Sequence, residues 1–406
     1  MFSFIRRSLT YVMGLILPTF MQVISIHQYY NYFDGKMPSI EDRNQLMIPN
    51  IANYYTLKCD FHMHTYLSDG IVSPANRVEE AWREGLDAIA ITDHLEFSPL
   101  NFSGDKNESY KQARKAAEGL DLIIINGCEV TRKTPPGHFN TLFVTDANAV
   151  NQKGFLDAIK AACDQGAFII YNHPKLTCHS ESEVWTDIHE KLLKKGWLHG
   201  IEVVNRQSYY PHVHDWYIEK SLTPMGNSDL HLPSWMEFSE YQGRHRPMTL
   251  VFCESPTAEG IKEALFSRRT AIYYRHGLAG DSRFLEPLFH ASVHVQDTLI
   301  SISGEEQKFI EVRNLSSLPF RLEFIGSAEV DLPDAVVLPP RSTKSIPISV
   351  IEKESYWLKS CRLSFQVANC KTARDRKLFT GWQVDIEYIP VPAENRLLAH
   401  NYQTAY

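Results

Sequence analysis

The stretch Asp60-Phe61-His62-Met63-His64-Thr65-Tyr66-Leu67-Ser68-Asp69-Gly70, DFHMHTYLSDG, ends a short apolar run. Residues 56–61 read as a strand, on which residues two apart share a face. His62 and His64 therefore point the same way, and their imidazoles can meet at one ion. Asp69-Gly70 then turns the chain, and Pro74 opens a helix expected to run to about Glu84. Strand, ligand-rich loop, helix is how metal sites are built at the carboxyl ends of barrel strands. Taken alone, an H-x-H is also what an ordinary loop offers, so the rest of the chain has to decide.

Working outward, the same alternation repeats. Buried strands are expected at residues 88–92, 122–127, 141–144, 168–171, 201–204, 224–226, 249–252 and 271–274, with helices at 155–165, 183–195 and 257–267. Repeated β-α units with near-continuous apolar strands predict a parallel sheet buried on both faces and closed into a barrel. Past about residue 285 helical periodicity fades. Short alternating runs follow at 291–295, 309–312, 321–325, 345–350, 362–367 and 382–388, punctuated by turn residues, which predicts an immunoglobulin-like β-sandwich. The expected organisation is a leader or anchor at 1–26, an extension at 27–56, the α/β barrel at 57–284, the all-β sandwich at 285–390 and a tail at 391–406.

Nearly every barrel strand delivers a coordinating residue at its carboxyl end. After His62, His64 and Asp69 come Thr92-Asp93-His94, then Gly127-Cys128-Glu129, then Pro136-Gly137-His138. Asn172-His173-Pro174, Asn205-Arg206 and Asn227-Ser228-Asp229-Leu230-His231 complete the series. Asp229 and His231 repeat the two-residue spacing of the first motif. Active sites of barrels sit at this end.

The chain has 406 residues, 44% apolar and 22% charged, with a formal net charge of −7. No long basic run is present, which argues against a non-specific nucleic-acid binder. Arg6 and Arg7 precede residues 9–26, which carry no charge. This pattern predicts export by a signal peptide, with a cut after Ser25, to the periplasm or the exterior. An uncleaved membrane anchor is the alternative. The cysteines at 59, 128, 163, 178, 253, 361 and 370 form no C-x-x-C, so no thiolate zinc site is indicated. Cys361 and Cys370 are expected on adjacent strands, where they could pair; buried free thiols are the reading for the others.

H-x-H followed by S-D-G, then T-D-H, a strand-final Glu, G-H, N-H-P and S-D-x-H resemble the PHP family, named for polymerase and histidinol phosphatase. The resemblance covers roughly residues 57–276. It implies a distorted seven-stranded β/α barrel, two or three divalent metal ions, and hydrolysis of phosphate esters. Carried over residue by residue, one ion would take His62, His64, Glu129 and Asp229. A second would take Asp69, His94 and His231, and a third His138 and His173 with Glu129 bridging. Many members have His where this chain has Asp69, a harder and negatively charged ligand, which leaves metal preference open. The order of motifs is similar to exported PHP phosphodiesterases with an added β-domain.

Six imidazoles and three carboxylates suit Mn, Fe or Zn better than Mg or Ca. Two ions about 3.5–4 Å apart lower the pKa of a bridging water, and the resulting hydroxide is the expected nucleophile at phosphorus. No G-x-S-x-G or P-loop is present. Asp93 is expected to orient an imidazole or relay a proton to the leaving alkoxide. Arg206 would hold a phosphate oxygen, or else form a surface ion pair. Arg132 and Lys175 are weaker candidates for that task. His212 and His214 form a second H-x-H that follows no strand and reads as loop or pocket wall. Tyr209, Tyr210, Trp216 and Trp235 would line an ester pocket or simply pack.

The expected activity is that of a phosphodiesterase on small organic or nucleotide-type diesters. A phosphomonoesterase, and a secreted binding protein without catalysis, are the alternatives. A small phosphoester substrate is the expected partner, with no stable nucleic-acid partner and membrane association only through the N-terminal segment.

Overall fold

The computed structural model describes residues 43–97, 104–175, 183–238, 245–296 and 299–391. The expected leader, most of the extension, Cys178 and the tail beyond Val391 lie outside the described residues.

Strand β1 (Tyr55–Asp60) leads into the first motif. Helix α1 (Pro74–Arg83) follows, with Pro74 in its first turn and the Ser73 hydroxyl accepting from the Asn76 amide at 3.1 Å. Its buried face of Val78, Ala81 and Trp82 packs on β2 (Ala88–Ile91), all four residues of which are buried. After α2 (Glu108–Ala116) come β3 (Ile123–Thr131) and β4 (His138–Leu142), then α3 (Ala147–Val150), α4 (Phe155–Cys163) and β5 (Phe168–Tyr171). Next are α5 (Asp187–Lys194), β6 (Gly200–Asn205), the short β7 (Ser208–Tyr209), α6 (Pro211–Glu219) and β8 (Thr223–Asn227). Helix α7 (Ser234–Glu237), β9 (Met248–Cys253), α8 (Ala258–Phe266), β10 (Thr270–Tyr274) and β11 (Gly277–Gly280) complete the first region.

Seven strands run round the barrel in the order β1-β2-β3-β4-β5-β6-β8, and β9 pairs with the free edge of β1. β8 closes on β9 through a side chain: the Thr249 hydroxyl accepts from the Gly226 amide and donates to the Gly226 carbonyl, both at 3.0 Å. A Cβ at Gly226 would stand 2.3 Å from Ile272 Cγ2, so only glycine permits this approach. The sheet is not the wholly parallel one expected from the apolar strands. β4 is antiparallel to both β3 and β5, and β9 to β1. The cause is the connection: residues 132–137 make a turn too short for a parallel crossover.

The expected change of texture at 285 is also displaced. Residues 285–292 belong to helix α9 (Ser282–Ser292), whose Leu285, Leu288, Phe289 and Ser292 are buried. Pro287 inside it hides the helical signal. The sandwich then comprises β12 (Val293–Val295), β13 (Leu299–Ser303), β14 (Lys308–Asn314), β15 (Phe320–Phe324), β16 (Val330–Asp331), β17 (Ala335–Leu338), β18 (Ser342–Val350), β19 (Trp357–Ala373) and β20 (Arg376–Ile389). One sheet is β13-β20-β19 with β15 and β17 beyond; the other is β12-β14-β18-β16. Alternate residues of β20 are buried, the pattern of a strand with one face on a core.

Cys361 and Cys370 both lie on β19 and are free thiols. The expected cross-strand pair is therefore corrected: β19 runs unbroken through 17 residues, so nothing folds one cysteine back onto the other. Past Val367, after a shift of register, the same strand still pairs with β20 at Lys371 and Ala373 and also pairs with β11 of the barrel region, Leu278 opposite Cys370. Among the described residues no helix is long and apolar enough to cross a membrane.

Candidate metal centre

The first loop is shaped by its neighbours. Met63 bridges to Leu230, the His64 amide donates to Leu230 O at 2.8 Å, and the Asp229 amide donates to His62 O at 2.8 Å. Met63 is buried in the core on one side, and His62 and His64 turn to the other, as the two-residue period requires. The loop returns through the Gly70 amide, which donates to Thr65 O at 2.9 Å. A Cβ at Gly70 would stand 2.7 Å from the His64 carbonyl, so the glycine is what lets Asp69 swing back towards His64.

Four ligand atoms then gather with near-equal spacing. His62 Nε2 and His64 Nε2 are 3.1 Å apart. Glu129 Oε2 lies 3.3 and 3.2 Å from those nitrogens, and Asp229 Oδ1 also lies 3.3 and 3.2 Å from them. Glu129 Oε2 and His64 Nδ1 are buried without a hydrogen-bond partner. A buried carboxylate oxygen on which nitrogens converge without a hydrogen bond is what a cation site leaves when only protein atoms are counted.

Two further sets adjoin it. Asp69 Oδ2 lies 3.3 Å from both His94 Nε2 and His231 Nε2, and His64 completes this group. On the other side, Glu129 Oε1 lies 2.8 Å from His138 Nδ1 and 3.9 Å from His173 Nε2. Glu129 thus gives one oxygen to each of two sets. All nine candidate ligands come together, and the donor set is one that divalent ions take.

Protonation tells the same story. Burial opposes charge on His62, but the Asp229, Glu202 and Glu129 carboxylates together outweigh it and hold the imidazole well above its ordinary 6.5. His94 is likewise raised to about 9, burial being overcome by Glu129 and Asp69. His231 is raised by Asp69 and Asp229 against burial. His64 is lowered to about 4 by burial and by the charge of His94, and burial also lowers His173. Despite burial, neighbouring imidazoles hold Glu129, Asp229 and Asp69 below the usual carboxylate range. Without metal, protons on some imidazoles supply the positive charge that three carboxylates demand.

The supporting groups include two that sequence reasoning missed. Arg77, buried in α1, donates to His64 O at 2.9 Å, Leu230 O at 3.1 Å and Leu232 O at 2.9 Å, tying the first loop to the last. Glu202, buried in β6, lies 2.8 Å from His62 Nδ1 and leaves Nε2 for the ion. The available signal was a lone carboxylate inside Ile201-Glu202-Val203-Val204, where an unpaired charge would be costly.

Asp93 is not where an imidazole needs orienting. It accepts from the Thr65 amide and hydroxyl and from the Ser68 hydroxyl, each at 2.6 Å, and from the Ser109 hydroxyl. It clamps the first loop, and its oxygens are committed to donors. His94 is steadied instead by the Thr131 hydroxyl at 2.5 Å, and His231 by Asp229 O at 2.9 Å. Arg206 forms an ion pair with Glu237, which also accepts from the His231 and Leu232 amides at 2.9 and 2.8 Å. Arg132 is held by Glu96 and by three carbonyls, and Lys175 lies over the Tyr210 ring.

His212 and His214 both lie in α6, which begins four residues before the expected Asp215. His212 pairs with Glu183 and His214 with the Tyr209 hydroxyl, so neither joins the metal sets. Tyr210 is buried, Tyr209 stacks on Tyr274, Trp216 packs against Trp185, and Trp235 is exposed.

Residues 60–222 match the PHP domain, and residues 293–383 an Ig-like domain. A solved two-domain protein of Bacteroides vulgatus, described as containing a predicted PHP-like metal-dependent phosphoesterase, is 35% identical. The match covers 84% of this chain and 99% of that one, with a TM-score of 0.79. The chain belongs to the PHP family of metal-dependent phosphoesterases. Two curated proteins match over shorter stretches. An uncharacterized protein of Methanocaldococcus jannaschii is 39% identical over 79 residues, 20% of this chain and 36% of that protein. A 5′-3′ exoribonuclease of Haemophilus influenzae is 30% identical over 76 residues, 19% of this PHP chain and 24% of the enzyme. The aligned parts thus span about a third and a quarter of those two proteins.

Proposed function

We propose that this protein hydrolyses small organic or nucleotide-type phosphodiesters. The observation that carries the choice is charge. The two arginines offered for phosphate binding, Arg206 and Arg132, are already neutralised by Glu237 and Glu96. A diester carries one negative charge and a monoester up to two, so the pairing of both arginines, among the described residues, favours the diester.

Divalent ions bound at the three sets would lower the pKa of water and draw electron density from the phosphoryl oxygens. The chain supplies position. Glu129, facing two sets, keeps two ions side by side. Glu202 and the Asp229 carbonyl fix which ring nitrogens of His62 and His231 remain available. Arg206, whose side chain is 46% exposed, keeps further N–H groups beyond its Glu237 bond for an ester oxygen. Asp93 is withdrawn as the proton donor to the leaving group, because it serves the loop.

We propose further that the chain is exported, on the strength of Arg6, Arg7 and the uncharged residues 9–26. Mn, Fe or Zn are the proposed ions. The test is to load the protein with each, measure metal content, and compare bis-p-nitrophenyl phosphate with p-nitrophenyl phosphate. Faster diester cleavage is expected. Faster monoester cleavage would make it a phosphomonoesterase, and bound ions with neither ester cleaved would favour a binding protein.

A further inference from the structure

Glu202 touches two metal sets at once. It lies on β6 where the ladder with β8 slips by one residue between Glu202 and Val204. Such a bulge re-aims side chains at functional sites. Its wholly buried carboxylate is shared out evenly. Oε1 accepts from His62 Nδ1 at 2.8 Å and Asn227 Nδ2 at 3.0 Å. Oε2 accepts from the His173 backbone amide at 2.8 Å and from Asn205 Nδ2 at 2.9 Å.

His62 belongs to the set with His64 and Asp229, and His173 to the set on Glu129 Oε1. His173 has φ of +23°, a conformation that costs free energy for a residue with a Cβ and persists only where its surroundings impose it. The amide bond to Glu202 is one such restraint. The remaining set is anchored elsewhere: His94 by Thr131, His231 by Asp229 O.

We propose that Glu202 is a positioning residue that couples these two sets, so that their ions bind as a linked pair, while the Asp69, His94 and His231 set, which Glu202 does not touch and which shares His64 with the first, is coupled to them less. The proposal rests on the metal reading above. Fixing the His62 ring by an ion fixes the carboxylate, and the carboxylate then holds His173 ready for the next ion. The ordering cost is met once for both sites.

The test is a stepwise zinc titration of the metal-free full chain against a chromophoric chelator, in wild type and in Glu202→Gln. Glutamine keeps the size but presents an NH2 where only donors converge. Two binding steps should weaken together by roughly 10–100-fold, and the third, linked to them only through His64, should weaken distinctly less. Equal weakening of every step, or of none, overturns the coupling. A wild-type protein that takes up no zinc would remove the metal reading itself, a different failure. Should the variant not fold, hydrogen exchange on wild type reads the same link. The first zinc equivalent should slow exchange at the His173 amide, and an amide indifferent to it sinks the proposal.

Discussion

At the scale of single residues, the metal sets behave as a balance between protons and ions, which fixes a pH dependence. In the metal-free protein His62, His94 and His231 have raised values, so their contribution to stability is complete below the ordinary 6.5. It is lost as pH rises, through about 9 for His94. His64, lowered to about 4, works the other way and adds stability as pH climbs from there to 6.5. The depressed carboxylates are fully effective above their ordinary range. The metal-free melting temperature should therefore peak near pH 6.5. Ions need neutral imidazoles, so the gap between loaded and metal-free melting curves should widen from pH 6.5 to 9. A gap flat across that range would contradict these assignments. Asp93 offers a second check. Asp93→Asn turns a carboxylate with four donors into an amide, and should cost about 1–3 kcal/mol in unfolding free energy. The shape of the pH–rate profile should survive. A lost alkaline limb would restore Asp93 as the leaving-group acid. The nine candidate ligands were legible as a group because they recur at the strands and the loops that join them along the barrel sequence. Glu202 and Arg77 were not: Glu202 lies inside an apolar strand, Arg77 lies among the charged residues of α1, and each acts through another residue.

At the scale of elements, the first loop depends on a missing side chain. Gly70→Ala places a methyl group against the His64 carbonyl at 2.7 Å. Backbone cannot yield as a flexible side chain would, so the substitution should destabilise by about 1–3 kcal/mol. It should also lower metal occupancy through Asp69 while far-UV circular dichroism stays native. Full occupancy in that variant would mean the tight return of the loop is incidental. Strand direction was the feature least open to sequence reading. The apolar run of β4 looks like any buried strand, and only the brevity of its turn forces it antiparallel. Helix α9 was hidden for a different reason: Pro287 breaks the expected composition, although Leu285, Leu288 and Phe289 keep helical spacing on the buried face.

At the scale of the whole molecule, barrel and sandwich share one apolar core from Gln45 onward. Phe289 packs its ring against Phe320, Phe365 and Trp382, with centroids 5.2, 5.6 and 6.4 Å away. Phe289→Ala should cost about 3–5 kcal/mol and lower a single calorimetric transition. Two separated transitions, with only the later region shifted, would show that the regions melt apart. The two regions were legible as a change of texture; their fusion was not, because nothing in the sequence of β19 marks that its far end pairs with the barrel region as well as with β20. Asn369 sits at the crossing, donating to His276 O and Pro319 O at 2.8 Å and accepting from the Arg321 amide at 3.1 Å. Beyond it, Arg374 reaches Asp215 of α6, and Lys371 lies over the Tyr209 ring. This has a bearing on descent. A strand that belongs to two regions cannot be inherited by halves: a crossover in the gene near residue 285 would separate the barrel from the far strand that completes its edge. A one-residue insertion in β19 would turn over the side chains on one side of it relative to the other, setting the two regions out of step. Such a chain should evolve as a unit, exchanging the tips of its loops far more readily than its second region.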